Sequence, residues 1–153
     1  MHSFVIFCFF GYYNDRITYT STIVKGAAMR ILHFEYSDFF RRVVHDLVLR
    51  SGHAYFDSRQ GNDLFKILAH DEIDVIFTGM ELSDMSGEEL IRELKSSKFC
   101  TIPIVILTSS EVENLNKRLK GLDFYDFILK ENLNIDTLNN VLDRIEDMME
   151  SNI

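Results

Sequence analysis

The sequence predicts an α/β protein: a doubly wound sheet of five parallel strands with five helices on its two faces. Three observations carry this. From Met29 onward the hydrophobic period switches repeatedly between continuous or twofold and about 3.6. Several strand segments are near-continuous apolar runs, as parallel strands covered on both faces require. The connectors are short, and such alternation implies right-handed crossovers. With 153 residues and 46% hydrophobic content, the chain can bury one sizeable core.

The elements follow in order. "RILHF" (30–34) reads as a buried strand. "DFFRRVVHDLVLRSG" (38–52) places Phe40, Val43, Val44 and Leu47 on one helical face, and Gly52 stops it. "AYFDS" (54–58) is a short strand, and "NDLFKILAH" (62–70) a helix with Asn62 as its expected cap. "DVIFT" (74–78) is a continuous apolar strand. In "SGEELIRELKSS" (86–97), Ser86 and Glu89 have capping-box spacing. "IPIVILT" (102–108) is a strand opened by the only proline, Pro103, where few ladder bonds are lost. "SEVENLNKRLKG" (110–121) repeats the device, with Ser110 and Glu113 capping and Gly121 stopping. "FYDFILK" (124–130) is the fifth strand. "NIDTLNNVLDRIEDMM" (134–149) is the last helix, with Leu138, Leu142, Ile145 and Met149 along its buried stripe.

Residues 1–28 form an N-terminal extension, 29–149 the domain and 150–153 a tail. "FVIFCFFGYY" is apolar but too short for a membrane span, and it lacks the basic flank of a signal peptide. It reads as an extra strand, a membrane-touching tail or translation upstream of a start at Met29. The formal net charge of −8 disfavours nucleic acid. Cys8 and Cys100 sit among apolar neighbours and read as buried, reduced thiols of a cytoplasmic protein. No Cys/His cluster has metal-ligand spacing. His33 reads as a buried neutral histidine with a hydrogen-bond partner. Phe39, Phe40, Phe65 and Phe77 read as packing, and the acids at 143, 146 and 147 as a solvated helix face.

Function in such a sheet sits at the carboxyl ends of the strands. Those ends carry Glu35 and Tyr36, then Gly79 with Glu81 two residues on, then Thr108 and Ser109, then Lys130 and Glu131. Taken singly, each has a plain reading. Gly79 gives backbone freedom, Thr108 suits a strand, and Lys130 is a snorkelling lysine. Together with "DMSGEEL", "IPIVILTSSE" and "FILK", they do more. Over roughly residues 29–149 the chain resembles the receiver (CheY-like) domain of two-component response regulators. Arg41-Arg42 and Gly87 also fall where that family often has them.

The resemblance implies the flavodoxin-like strand order 2-1-3-4-5. It also implies a phosphoacceptor aspartate ending the third strand, two acids after the first strand that help hold Mg²⁺, and a Thr or Ser and a Lys facing the phosphoryl group. Here Glu35 matches the first acid and Tyr36 replaces the second. Gly79 stands at the phosphoacceptor position, Thr108 and Lys130 match, and Phe127 matches the aromatic switch position. Glu81 falls where the family supplies a backbone carbonyl. Glu131 replaces the family's proline, so a trans bond and a reshaped loop are expected. The pattern expects three carboxylates and this chain keeps one, so Mg²⁺ binding should be weak or absent, with no cofactor.

The expected function is a pseudo-receiver: a phosphorylation-independent, non-enzymatic signalling module of a two-component or phosphorelay pathway. It would act by protein–protein contact, or self-association, through helix four (110–120), strand five (124–129) and helix five (134–149). Phe124, Tyr125 and Phe127 are the candidate anchors. A direct Glu35–Lys130 pair, with the Tyr36 hydroxyl beside it, is expected to lock the pocket. Two alternatives stand. One is a phospho-accepting regulator with a non-standard acceptor, Asp74 or Asp84. The other is a flavodoxin-like small-molecule binder, for which the chain lacks a Gly-rich phosphate loop.

Overall fold

The computed structural model describes residues 12–13, 16–17, 26–109 and 112–152. Strands β1 (Arg30–Phe34), β2 (Ala54–Ser58), β3 (Val75–Thr78), β4 (Ile104–Thr108) and β5 (Asp126–Leu129) form one parallel sheet. Their spatial order is β2-β1-β3-β4-β5, the flavodoxin-like order the sequence implies. Helices α1 (Asp38–Arg50), α2 (Leu64–His70), α3 (Gly87–Lys95), α4 (Val112–Leu119) and α5 (Ile135–Ser151) alternate with the strands. Among the described residues, no helix is long and apolar enough to cross a membrane.

Successive strand side chains point to opposite faces, so the sheet divides the core in two. Leu32, Phe34, Ile76, Ile104 and Ile106 pack with Leu64, Leu90, Leu94 and Leu115 from α2, α3 and α4. Ile31, Val75, Phe77, Val105 and Leu107 pack with Val44, Val48, Leu138 and Ile145 from α1 and α5. A separate two-residue ladder pairs Tyr12–Tyr13 with Arg16–Ile17. The apolar run at 4–10 lies outside the described residues.

Local signals act as read at several ends. Ser86 accepts from the Glu89 N–H at 3.2 Å, and the Ser86 N–H donates to Glu89 Oε2 at 2.8 Å, completing the capping box of α3. Gly52 and Gly121 take φ of 82° and 78° just beyond α1 and α4. Gly87 has a packing reason. A Cβ there would lie 2.3 Å from the Gly79 carbonyl oxygen. Its absence lets the first turn of α3 rest on the backbone that leaves β3, with the Gly87 N–H donating to Met80 O at 2.8 Å. The Ser110–Glu113 cap lies outside the described residues.

Other expectations need correction. Asn62 does not cap α2. A 3₁₀ turn at Gly61–Asp63 leads into the helix at Leu64, and its N–H groups are met from another loop. Asp84 accepts from Gly61 N at 2.8 Å and Asn62 N at 2.9 Å. Strand β5 is shorter than read: Phe124 and Tyr125 precede it, and Lys130 opens a 3₁₀ turn. The bond between Lys130 and Glu131 is trans, as expected, and no described peptide bond is cis. Cys100 is an exposed free thiol, while Cys8 lies outside the described residues. Phe77 is core, but Phe39 and Phe65 are 68% and 40% exposed. Asp143 and Asp147 are exposed, whereas Glu146 is buried and accepts from the Gly26 N–H.

Candidate functional site

The parallel register lines up the strand tips. Phe34 pairs with Thr78 across β1 and β3, and Thr108 with Leu129 across β4 and β5. Glu35, Gly79 and Lys130 are each the next residue beyond β1, β3 and β5. Three strand spacings separate the β1 and β5 tips, about 14 Å at the usual interstrand distance. Two long side chains close that gap. Lys130 Nζ lies 2.7 Å from Glu35 Oε2, with the side chains 14% and 4% exposed. The approach is off the hydrogen-bonding direction, and Oε2 receives no other donor among the described residues, so the contact is held by charge.

The pair runs past the tip of β3, which Gly79 leaves open. A Cβ at Gly79 would meet Glu35 Oε2 at 2.9 Å and Cδ at 3.4 Å. The Glu35 carboxylate thus lies against the face of Gly79 from which a side chain would project. Its other oxygen accepts from the Ser37 N–H at 3.0 Å. The Lys130 ammonium also rests over the Phe40 ring, 4.1 Å from its centroid. Tyr36 is 61% exposed, so Phe40 takes the place beside the pair expected of the Tyr36 hydroxyl. Thr108 is buried at the β4 tip. Thr78 donates its hydroxyl to Gly79 O at 2.8 Å.

A second polar group lies beneath. His33 is fully buried, and its Nδ1 is 2.8 Å from the Tyr55 hydroxyl. That hydroxyl donates to Arg41 O at 3.1 Å, spending its only hydrogen. His33 Nδ1 therefore carries the ring proton, and Nε2 is a buried lone pair without a partner among the described residues. Burial, helped by the charges of Lys130 and Arg41, depresses the His33 pKa to about 3. Arg41 donates to Glu35 O at 2.9 Å and Tyr36 O at 3.3 Å, and pairs with Asp38 and Asp57. Burial also raises the Tyr55 pKa above the usual phenol value.

The remaining candidates are dispersed. Glu81 turns away to Arg118 at 2.8 Å. Asp74, at the far end of β3, accepts from Arg30 N at 2.7 Å. Phe127 is 38% exposed on β5, whereas Phe124 and Tyr125 are half-buried and pack against the two opposite cores. The roles of Phe40, Tyr55 and Arg118 escaped the sequence. Phe40 read as packing, Tyr55 only as a residue of a short strand, and nothing local marks Arg118.

A parallel five-stranded sheet with an acid, a hydroxyl and a lysine at its strand tips defines a receiver-type α/β module. Residues 31–143 match the response regulator receiver domain, and the chain belongs to that family. It is therefore a signalling domain of the two-component type, a class that works by interaction with other proteins. The chain is 28% identical over 120 residues to the gliding motility regulatory protein of Myxococcus xanthus, covering 76% of this chain but only 15% of that protein. Solved structures share the fold. The receiver domain of a Pseudomonas aeruginosa sensor histidine kinase, with magnesium coordinated in its active-site cleft, superposes with a TM-score of 0.72 at 18% identity, covering 79% of this chain and 99% of that one. The chemotaxis protein CheY4 of Vibrio cholerae gives 0.69 at 21% identity, covering 78% and 99%.

Two predictions follow from this geometry. Lys130→Ala strands a buried carboxylate and should cost about 3 kcal/mol in urea unfolding without metal or phosphodonor; an unchanged midpoint would show that the pair holds nothing. His33 has a folded pKa below its unfolded value, so the native state binds fewer protons. Its contribution is complete above pH 6.5 and is lost as pH falls toward 3. Between pH 7 and 5 the loss should be about 2 kcal/mol, and His33→Leu should flatten that slope.

Proposed function

We propose that this receiver domain signals without aspartyl phosphorylation, as a pseudo-receiver that acts by protein–protein contact and has no catalytic role. The observation that carries the reading is the Glu35 carboxylate lying against Gly79 and paired with Lys130. Aspartyl transfer needs a carboxylate oxygen as nucleophile, and glycine supplies none. The lysine that would meet a phosphoryl group already has an anion. The substitutes are committed elsewhere: Asp84 to the N–H groups of Gly61 and Asn62, and Asp74 to Arg30.

The donor set does not fit Mg²⁺. A hard dication takes several oxygens. At this tip Glu35 Oε2 faces an ammonium, Tyr36 points to solvent and Glu81 serves Arg118. Among the described residues, no group of three His, Cys, Asp or Glu side chains could hold a metal ion.

The contact surface in this reading is α4, β5 and α5, with Phe127 as its anchor. Phe127 lines a groove with Leu129, Asn132, Asp136, Asn140 and Arg144 between β5 and α5. An exposed aromatic beside a partly polar groove suits an interface. A cytoplasmic setting belongs to the same proposal, resting on cysteine usage alone.

Incubation with acetyl phosphate and Mg²⁺, read by intact mass, should leave the chain unmodified; gain of one phosphoryl group would end the reading. Pull-downs from source cells should retain the same partner with and without phosphodonor and lose it with Phe127→Asp. Retention unaffected by that substitution would remove β5 from the contact.

A further inference from the structure

We propose that Arg118 is a positioning residue that clamps α4 to the loop leaving Gly79, so that charge sets the placement of α4. The guanidinium is forked. Its Nη2 meets Glu81 Oε1 at 2.8 Å and its Nε meets Glu88 Oε1 at 2.7 Å. Glu81 is two residues beyond Gly79, and Glu88 lies in the first turn of α3. One α4 side chain therefore grips both the loop and the helix that follow β3.

The loop is built to be gripped. Glu81 bridges to Ser86, and Leu82 N donates to Met85 O at 3.0 Å. Gly87 seats α3 on the same backbone. α4 itself is short. It has eight residues, too few for a stable helix alone, and its buried described side chains are Leu115 and Leu119. Apolar contacts such as these are non-directional, so by themselves they set neither register nor roll. A forked arginine removes that freedom because it must satisfy two acids on different segments.

The two arms differ in kind. The Glu88 side chain is 12% exposed and the Glu81 side chain 74%, with Arg118 at 33%. The Glu88 arm is shielded from solvent, and the Glu81 arm is open to screening by salt. A lysine ammonium lacks the rigid planar fork and would hold the two acids with less directional constraint. The clamp shares no residue with the Glu35–Lys130 pair. Its consequence, a partner face tuned by ionic contacts, rests on the proposed function; its existence does not.

Hydrogen exchange on the full chain, without phosphodonor or partner, tests it. In Arg118→Met, peptides covering α4 and the loop at 80–86 should exchange roughly fivefold faster, while peptides covering β1 and β5 keep their wild-type rates. Arg118→Lys should fall between. Raising salt should speed α4 exchange in the wild type and leave Arg118→Met unmoved. Equal α4 exchange in wild type and Arg118→Met would overturn the clamp, and so would a uniform rise across all peptides. Should Arg118→Met not fold, Glu88→Gln and Glu81→Gln must each loosen α4, the former more; no loosening in either overturns the proposal. The phosphodonor experiment reads a different quantity, so failure of one leaves the other standing.

Discussion

The Glu35 carboxylate and the Lys130 ammonium meet 2.7 Å apart, almost out of contact with water, at the edge where five strands end. Burying two charges costs several kcal/mol each unless geometry and further contacts offset it. Three contacts do so here. The Ser37 N–H holds one oxygen, the Phe40 ring underlies the ammonium, and the two opposite charges attract at close range without a formed hydrogen bond. The arrangement depends on two complementary features of composition. Glutamate supplies one methylene more than aspartate, and glycine at 79 leaves the path open. A Cβ there would crowd Oε2 at 2.9 Å.

The layer below depends on that pair. A buried histidine close to two cations stays neutral, and His33 does so with its proton on Nδ1. The proton is useful there because it joins β1 to Tyr55 on β2, and Tyr55 to the α1 backbone at Arg41. Arg41 returns the connection to the carbonyl oxygens of Glu35 and Tyr36. The first strand's exit, the edge strand and the first helix are thereby joined by one polar network around the Glu35–Lys130 pair.

The sheet was legible in the sequence because period and burial are local properties of a strand or helix. The Ser86–Glu89 box and the glycines at 52 and 121 were legible for the same reason: each acts within a turn of where it is written. The Glu35–Lys130 pair was legible through strand order, which brings distant tips together. What escaped was partnership across loops. Asp84 caps residues 61 and 62 from 22 or more positions away, and Arg118 reaches Glu81 and Glu88 from a different helix. Phe39 and Phe65 show the complementary limit. Apolar spacing marks a face, but whether another element covers that face is decided elsewhere in the chain. Glu146 shows the reverse, an acid on a charged stretch that is buried and accepts from the distant Gly26 N–H.

Charge balance connects the strand tips to the proposed mode of action. A site that recruits a dication and a phosphoryl group needs an excess of acids for the metal and a lysine ready for the phosphate. Here one acid and one base are paired with each other, and the histidine beneath is neutral. Within the pair the two charges cancel, and Arg41 nearby is itself paired with Asp38 and Asp57. To open the pair, a ligand would have to replace both the Coulomb attraction and the contact with Phe40, in a volume where the carboxylate already fills the side-chain face of Gly79. In the proposed reading, information passing through this domain is carried by its surfaces instead. That reading assigns the role to the exposed side of β5 and to α4.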